Sequence, residues 1–123
     1  MARYAAEGAK VFVATATRGE QGGLSTGELE IRRDDLPAVR EAEMRSVLQA
    51  FGTEPPIFLG YRDQEVPSAD FEKLVTEVKM VTERVEPDVV ITWGPTGISG
   101  HDDHIAVHRA TVEAFHRYRP SAA

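Results

Sequence analysis

Short apolar runs and longer stretches of helical periodicity alternate along this chain. The run 10–17, Lys-Val-Phe-Val-Ala-Thr-Ala-Thr, is rich in β-branched residues and is typical of a buried strand. A second short strand is predicted over 57–59, directly after two prolines. A third is predicted over 88–93, where the sequence is apolar on both faces, as parallel strands between helices tend to be. The apolar pattern therefore predicts three parallel strands.

Helices are predicted between these strands, where apolar residues recur at helical spacing. The first covers about 36–51, with Asp35 as its predicted N-cap and Gly52 as its C-terminal stop. The second begins after Ser68, its predicted N-cap, and carries one continuous apolar stripe. The last covers 102–118 and follows a loop rich in glycine.

The regular alternation of strand and helix predicts an α/β fold, specifically a Rossmann-like three-layer parallel sheet with helices on both faces. Residues 1–123 are expected to form a single α/β domain. The start of the chain departs from this pattern, because residues 2–8 resemble the last two turns of a helix with no strand before it. We therefore expect the fold to lack its first, central strand and the chain to be a fragment of a larger domain.

Composition and charge exclude several classes of function. Fourteen Lys and Arg residues stand against 20 Asp and Glu residues, which gives a net charge of −6 and no basic stripe for nucleic acid. The absence of cysteine excludes disulfides, thiolate metal sites and a cysteine nucleophile. No apolar run approaches the ~20 residues that span a bilayer, and the first residues lack the pattern of a signal peptide. The expected location is the cytoplasm.

Polar residues follow each of the three predicted strands, at the positions where open α/β sheets bind their ligands. Arg18 and Glu20 follow the first strand, and Asp63 follows the second. The loop after the third strand ends in His101-Asp102-Asp103-His104. Because the carboxyl ends of parallel strands share one edge of a sheet, we expect these side chains to gather there. Glu20 has the weakest case of the set.

The histidine cluster is the sharpest chemical signal in the sequence. A neutral imidazole is a common metal ligand, and its second ring nitrogen usually needs a partner that fixes the tautomer. His101, Asp103 and His104 offer both kinds of group at the start of a helix. The alternative is that Asp102 and Asp103 only complement the helix dipole, with solvated histidines beside them. The residues alone leave both interpretations open.

A second metal-site interpretation pairs His104 with His108, which lie four residues apart on one helical face. This is the spacing of a zincin site, but Ile105 occupies the position of the catalytic glutamate, so that site would have no base. His116 lies far down the same helix and is expected to be a surface residue.

Two further side chains could contact a substrate. Arg18 could clamp an anionic or hydroxylated group, and Asp63 could accept hydrogen bonds from substrate hydroxyls. Taken singly, each is better explained as a surface arginine or a turn-forming aspartate. The loop after the first strand is rich in glycine but matches neither common phosphate-binding motif, which disfavours a nucleotide-binding domain. Its glycines are Gly19, Gly22, Gly23 and Gly27.

Five segments, in order along nearly the whole chain, resemble the PIG-L/LmbE-like zinc-dependent N-deacetylases. This is the family of the N-acetylglucosaminyl-phosphatidylinositol and mycothiol-pathway de-N-acetylases. Residues 101–104 resemble the family's His-Pro-Asp-His signature, with Asp102 in place of proline. Any one match is ordinary, whereas five in register are specific. Of the other four segments, the first is 8–20, which ends in Thr-Arg-Gly-Glu. The second combines 40–44 with 50–52, the third is 58–63, and the fourth is 87–92.

The resemblance implies hydrolysis of an acetamide, so the expected partner is a small-molecule amino-sugar substrate. It also implies a Zn²⁺ ion that polarises the acetamide carbonyl and activates a water molecule. By position, His104 would be a zinc ligand, and His101, oriented by Asp103, would stabilise the oxyanion or protonate the leaving amine. Arg18 and Asp63 would contact the sugar.

The chain departs from the family at its front. The family's first strand ends in His-Pro-Asp-Asp-Glu, which provides two zinc ligands and the catalytic base, and this chain has no such segment. Two of the three protein ligands expected for a catalytic zinc are therefore absent. We expect residues 1–123 alone to bind zinc weakly, to have negligible deacetylase activity, and to be unstable or form homo-oligomers through exposed sheet edges. The alternative function is a degenerate, non-catalytic α/β module that binds a sugar or a protein partner.

Overall fold

A computed structural model describes residues 1–24 and 30–119 of the chain. They form a mixed α/β structure with one small parallel sheet, divided into two compact units, Met1–Asp63 and Gln64–Ala123. Gly27, which the sequence analysis assigns to the glycine-rich loop, lies outside the described residues. Among the helices in the described ranges, none has both the length and the apolar content that a membrane crossing requires.

The first unit contains the sheet. Strand β1 (Ala14–Thr15) pairs in parallel with β2 (Ile57–Phe58), and Ala14 lies opposite Ile57. The regular ladder is shorter than the predicted runs 10–17 and 57–59, but parallel backbone bonds continue beyond it on both sides. The donors Glu54, Ile57, Leu59 and Tyr61 bond to the carbonyls of Val11, Val13, Thr15 and Ala16. Both predicted strands are therefore confirmed, and their carboxyl ends lie side by side.

The helices of the first unit agree with the sequence pattern except at one cap. Helix α1 covers Ala2–Ala6, and helix α2 covers Leu36–Ala50. Gly52 follows α2 with a φ of +71°, a left-handed conformation that glycine adopts without a steric penalty. The side chain of Asp35 makes no capping hydrogen bond, because Asp35 ends a 3₁₀ turn (Arg33–Asp35) that runs directly into α2. The fully buried side chains of α2 are Leu36 and Leu48.

Helix α3 (Phe71–Val85) opens the helical part of the second unit, and its predicted N-cap is wrong. The cap is Asp70, whose carboxylate accepts a hydrogen bond from the Lys73 backbone N–H at 3.1 Å. Ser68 instead ends a 3₁₀ turn (Val66–Ser68), where its hydroxyl donates to a backbone carbonyl. Both residue types cap helices well, so the turn decides between them.

Helix α5 (Asp102–Arg117) packs against α3 and forms the core of the second unit. Its bounds agree with the predicted helix over 102–118. A single short turn, α4 (Gly97–Gly100), precedes it and leads the chain into its first residue. Small residues on α5 allow close approach to branched residues of α3. The buried apolar side chains of this unit are Val66, Leu74, Val75, Ala110 and Ala114.

The predicted strand over 88–93 is not formed. Within the described ranges, the sheet contains only β1 and β2, and residues 88–93 belong to neither strand. The segment also leaves its apolar side chains in solvent, with Val89 74% and Ile91 81% exposed. A strand requires a partner backbone for its N–H and C=O groups, and apolar, β-branched composition alone does not provide one.

An ion pair joins the two long helices of the second unit and makes its stability depend on pH. Arg117 donates to both carboxylate oxygens of Glu72, at 2.7 and 3.1 Å. These hydrogen bonds hold the pKa of Glu72 below its usual value. Because the pKa of Glu72 is lower in the folded protein, the ion pair stabilises the fold at pH values above ~4.3, the pKa of an unfolded glutamate. This stabilisation is lost as the pH falls through the pKa of Glu72 in the folded protein.

We therefore expect Glu72→Gln to lower the urea midpoint of unfolding slightly at neutral pH and much less in acid. The measurement is urea unfolding followed by circular dichroism at both pH values. Glu83→Gln is the control, because Glu83 lies on the same helix and pairs with Lys79 of that helix at 3.0 Å. An equal loss for Glu72→Gln at both pH values would contradict the assignment.

Candidate functional site

In the first unit, two carboxylates join the loops that follow β1 and β2. Glu20 accepts a hydrogen bond from the Asp63 backbone N–H at 3.0 Å and another from the Arg18 backbone N–H at 3.2 Å. Asp63 accepts in return from the Gln21 backbone N–H at 2.9 Å. Glu20, the weakest candidate from the sequence, is therefore a structural residue that holds the two loops together.

The Arg18 side chain lies beside helix α2. Its guanidinium is 3.5 Å from a carboxylate oxygen of Glu41, whose other oxygen accepts from Arg45 at 2.7 Å. The hydrogen bond from Arg45, assisted by Arg18, lowers the pKa of Glu41. The Arg18 side chain is 48% exposed, so its guanidinium donors are accessible to a ligand.

A cavity of about 570 Å³ opens at this end of the sheet. Arg18 and Asp63 both line it, as expected from the shared edge of β1 and β2. Phe58 and Met44 contribute apolar surface. A cavity with apolar carbon surface, a guanidinium and a carboxylate suits a molecule that has both C–H faces and hydroxyl groups.

The glycine-rich loop forms a closed turn in its described part. The Gly22 N–H donates to the Gly19 carbonyl at 3.0 Å, so this donor does not point outward as it would in a phosphate cradle. Arg33 fastens the turn by donating to the carbonyls of Glu20 and Gly22, at 3.1 and 2.7 Å. These contacts favour a structural turn over a nucleotide site.

In the second unit, His101 is the N-cap of α5. Its ring Nδ1 accepts a hydrogen bond from the Asp103 backbone N–H at 3.2 Å. A neutral imidazole that accepts at Nδ1 carries its proton on Nε2, so His101 presents an N–H donor from an exposed side chain. The cap thus determines which ring nitrogen can donate.

Asp103 is 6% exposed and lies at the second position of α5. Its carboxylate accepts from the backbone N–H groups of Gln64 at 2.7 Å and Val66 at 3.3 Å. The hydrogen bond that orients His101 comes from the Asp103 backbone N–H, whereas the carboxylate holds the segment 64–66 at the start of α5.

His104 is held on three sides. Its Nδ1 lies 3.1 Å from the Gly97 carbonyl oxygen, and because a carbonyl only accepts, Nδ1 carries the proton. The ring stacks on the indole of Trp93, with centroids 4.0 Å apart and planes within 6°. The ring of His101 stacks at 4.5 Å and 20°. In its neutral form, His104 therefore presents Nε2 as a free ligand atom, with its Nδ1–H donated to a backbone carbonyl as in protein metal sites.

His108 lies one helical turn after His104 and is held in the same way. Its Nδ1 is 2.7 Å from the Trp93 carbonyl oxygen, so it also donates from Nδ1. His116 is exposed on the same helix, as predicted, with its ring edge-on to Phe115 at 6.2 Å.

Two residues of the histidine cluster, Trp93 and Gly97, were not predicted from the sequence. Trp93 was considered only as the end of a strand, yet its ring and its carbonyl contact two histidines. Gly97 was considered only as a loop residue, but a Cβ there would lie 2.9 Å from the Cβ of His104. Next to it, Ile98 adopts φ +68° and ψ −56°, outside the helical region. An aromatic residue followed by a glycine-rich turn directly before a histidine helix is the signal that could have identified them.

Asp103 gives a stability prediction at this site. We expect Asp103→Asn to lower the free energy of unfolding by about 1–3 kcal/mol, because one acceptor of the buried carboxylate becomes an NH₂ group beside a backbone donor. Urea unfolding followed by circular dichroism measures it. Asp102→Asn is the matched control, since Asp102 is exposed in the same first turn and loses only its dipole interaction. Equal losses for the two variants would refute the role of the buried carboxylate.

Comparison with known proteins agrees with the resemblance seen in the sequence. Residues 1–115 match the family PIG-L, described as GlcNAc-PI de-N-acetylase. Three similar relatives are each named 1D-myo-inositol 2-acetamido-2-deoxy-α-D-glucopyranoside deacetylase. The Geodermatophilus obscurus protein is 36% identical over 134 residues, covering 93% of this chain and 46% of the relative. The Kineococcus radiotolerans protein is 36% identical over 141 residues, covering 94% of this chain and 39% of the relative. The Rhodococcus erythropolis protein is 37% identical over 134 residues, covering 93% of this chain and 46% of the relative.

This chain therefore spans less than half the length of these three relatives. The family match nevertheless covers both compact units, from the first residue to the last turns of α5. It includes every residue that the sequence analysis assigned to the site. The chain belongs to the PIG-L family of de-N-acetylases.

Proposed function

We propose that this chain contributes to the active site of a zinc-dependent N-deacetylase that hydrolyses the N-acetyl group of an N-acetylglucosamine-type substrate. The observation that carries the proposal is the tautomer of His104. Its Nδ1–H is donated to the Gly97 carbonyl, so the ring offers Nε2 as a ligand atom. The names of the relatives, all deacetylases of an acetamido sugar joined to inositol, support the reaction class.

The residues present fit one part of a zinc site. His104 would be the ligand that this chain provides, and the other two ligands expected from the family have no counterpart in its sequence. A bound Zn²⁺ supplies Lewis-acid polarisation of the acetamide carbonyl and a water of lowered pKa.

His101 fits the role of a hydrogen-bond donor to the reacting group. Its Nε2–H is fixed by the cap bond to Nδ1, and an N–H donor of this kind can stabilise an oxyanion or pass a proton to the leaving amine. Asp103 contributes as a positioning residue, because its backbone N–H orients the His101 ring and its carboxylate holds the preceding segment.

Arg18 and Asp63 fit the role of sugar contacts. Both line the cavity at the carboxyl end of the sheet, where a guanidinium can donate to sugar oxygens and a carboxylate can accept from hydroxyls. The apolar surface of Phe58 suits the C–H face of a pyranose ring.

The test uses the polypeptide as its native source produces it, with intact mass and N-terminal sequence determined. The substrate is 1D-myo-inositol 2-acetamido-2-deoxy-α-D-glucopyranoside, and the readout is release of a primary amine. We expect chelation to remove activity and Zn²⁺ to restore it. Free N-acetylglucosamine in parallel reports how much the inositol contributes to recognition.

The opposite result would be substrate binding, measured by calorimetry, with no amine release at any Zn²⁺ concentration. That outcome would refute the enzyme and favour the non-catalytic sugar-binding module. Amine release that survives complete removal of metal would refute the role of zinc.

The proposal also includes the domain to which residues 1–123 belong. We infer a single Rossmann-like, three-layer domain in which residues 88–93 pair with a strand not found among the described residues. The exposed Val89 and Ile91 support this inference, because such side chains are usually covered in a parallel sheet. A cytoplasmic location and self-association through exposed sheet edges stay predictions.

A further inference from the structure

We propose that His108 is a positioning residue that holds Trp93 against His104 and so sets the orientation of the candidate metal ligand. The inference rests on the proposed function, since it concerns the ring expected to bind the metal. His108 is half-buried, and its Nδ1 is 2.7 Å from the Trp93 carbonyl oxygen. This is a short, well-formed hydrogen bond across a sequence separation of 15 residues.

The hydrogen bond fixes a residue that has little else to hold it. Trp93 lies at the end of the segment 88–93, which belongs to no strand in the described part of the chain, and the residue is 39% exposed. Its carbonyl is bonded to His108 and its indole stacks on His104. Helix α5 therefore fastens Trp93 through two histidines one turn apart.

The rings stacked on His104 restrain a motion of its imidazole that the hydrogen bond to Gly97 leaves open. A single hydrogen bond at Nδ1 tolerates a range of donor angles, so it leaves the imidazole some freedom to turn about its Cβ–Cγ bond. The stacked Trp93 indole, 4.0 Å from the His104 ring centroid, and the stacked His101 ring, at 4.5 Å, oppose this change of ring angle. The direction of the His104 Nε2 lone pair therefore depends on Trp93, and Trp93 depends on His108.

The chain contains one tryptophan, so its fluorescence reports this contact directly. Three variants separate the hydrogen bond from other effects. His108→Ala and His108→Leu both remove the donor, the first with a strong helix former and the second with most of the volume kept. His108→Asn keeps an N–H donor near the position of Nδ1 and is the rescue variant. His116→Ala, on the exposed part of the same helix, is the matched control.

Two measurements are made on each variant, after circular dichroism has established that it is folded. The first is tryptophan emission without metal, and the second is a Zn²⁺ titration of the native polypeptide that carries the substitution. We expect the donor-removing variants to change the metal-free emission, because the indole leaves the imidazole, and to bind Zn²⁺ about tenfold more weakly. His108→Asn and His116→Ala should match the wild type in both measurements.

Each outcome decides the proposal. Unchanged emission in either folded donor-removing variant would overturn it, as would equal Zn²⁺ affinity in the wild type and His108→Leu. If His108→Ala unfolds, His108→Leu decides. A native polypeptide that binds no Zn²⁺ would refute the proposed function alone, because the metal-free emission still tests whether His108 holds Trp93.

Discussion

Replacing His104 with alanine is expected to lower deacetylation by the native polypeptide more than about 100-fold. Removing a residue that hydrogen-bonds a metal ligand typically lowers metal affinity or activity by about 10–100-fold. Removing the ligand itself should lower activity further. The expectation follows from the ring's geometry, because His104 donates Nδ1–H to the Gly97 carbonyl and directs Nε2 away from that bond.

The measurements are amine release from the acetamido-sugar inositol and Zn²⁺ content after dialysis. His116→Ala serves as the control, since it removes an imidazole from the exposed part of the same helix and should leave both values unchanged. If His104→Ala keeps its zinc and its rate, the ligand assignment is wrong. If it keeps its zinc and loses its rate, His104 acts on the substrate and does not bind the metal.

Replacing Gly97 with alanine is expected to destabilise the second unit by about 2–5 kcal/mol. One part of the cost is the positive φ of +62°, which L-residues rarely adopt and which costs about 1 kcal/mol or more. The other part is overlap, because the new Cβ would lie 2.9 Å from the His104 Cβ and 3.2 Å from Ile105 Cγ1. Overpacking of this kind typically costs about 1–3 kcal/mol.

Gly100 provides a control for the backbone part alone. It has a φ of +77°, and a Cβ there would meet nothing within 4 Å. Urea unfolding of Gly97→Ala and Gly100→Ala should therefore differ by the cost of the overlap. The Trp93 emission should change only in Gly97→Ala, because the overlap displaces the His104 ring. Equal unfolding midpoints would show that the loop moves aside without cost.

The elements that could be predicted from the sequence are those whose causes are local. Helix α2 begins and ends within a residue of the prediction, because Gly52 provides its left-handed stop and its apolar residues recur at one period. The N-cap of α3 could not be chosen in this way, since Ser68 and Asp70 are both good caps. The prediction of a strand over 88–93 was wrong, because strand pairing depends on a second backbone segment that is distant in the chain.

The same distinction applies to the site. His101, Asp103 and His104 are recognisable as a cluster because they are adjacent in sequence. Their chemistry depends on groups outside the cluster, such as the Gly97 carbonyl that accepts from His104 and the Trp93 indole that stacks on its ring. Glu20 shows the converse, because its hydrogen bond to the Asp63 backbone spans 43 residues and turns a suspected ligand contact into a structural one.

The backbone of Ile98 would tie the proposed metal affinity to the integrity of the fold. Its angles, φ +68° and ψ −56°, correspond to a γ-turn that a β-branched residue adopts only at a cost of about 1–3 kcal/mol. A short peptide with this sequence would relax to another shape, so the carbonyl that anchors His104 is in position only when α5 is packed. If His104 binds a cation as proposed, cation binding and unfolding are thermodynamically linked: a bound ion should raise the melting temperature, and denaturant should release the ion.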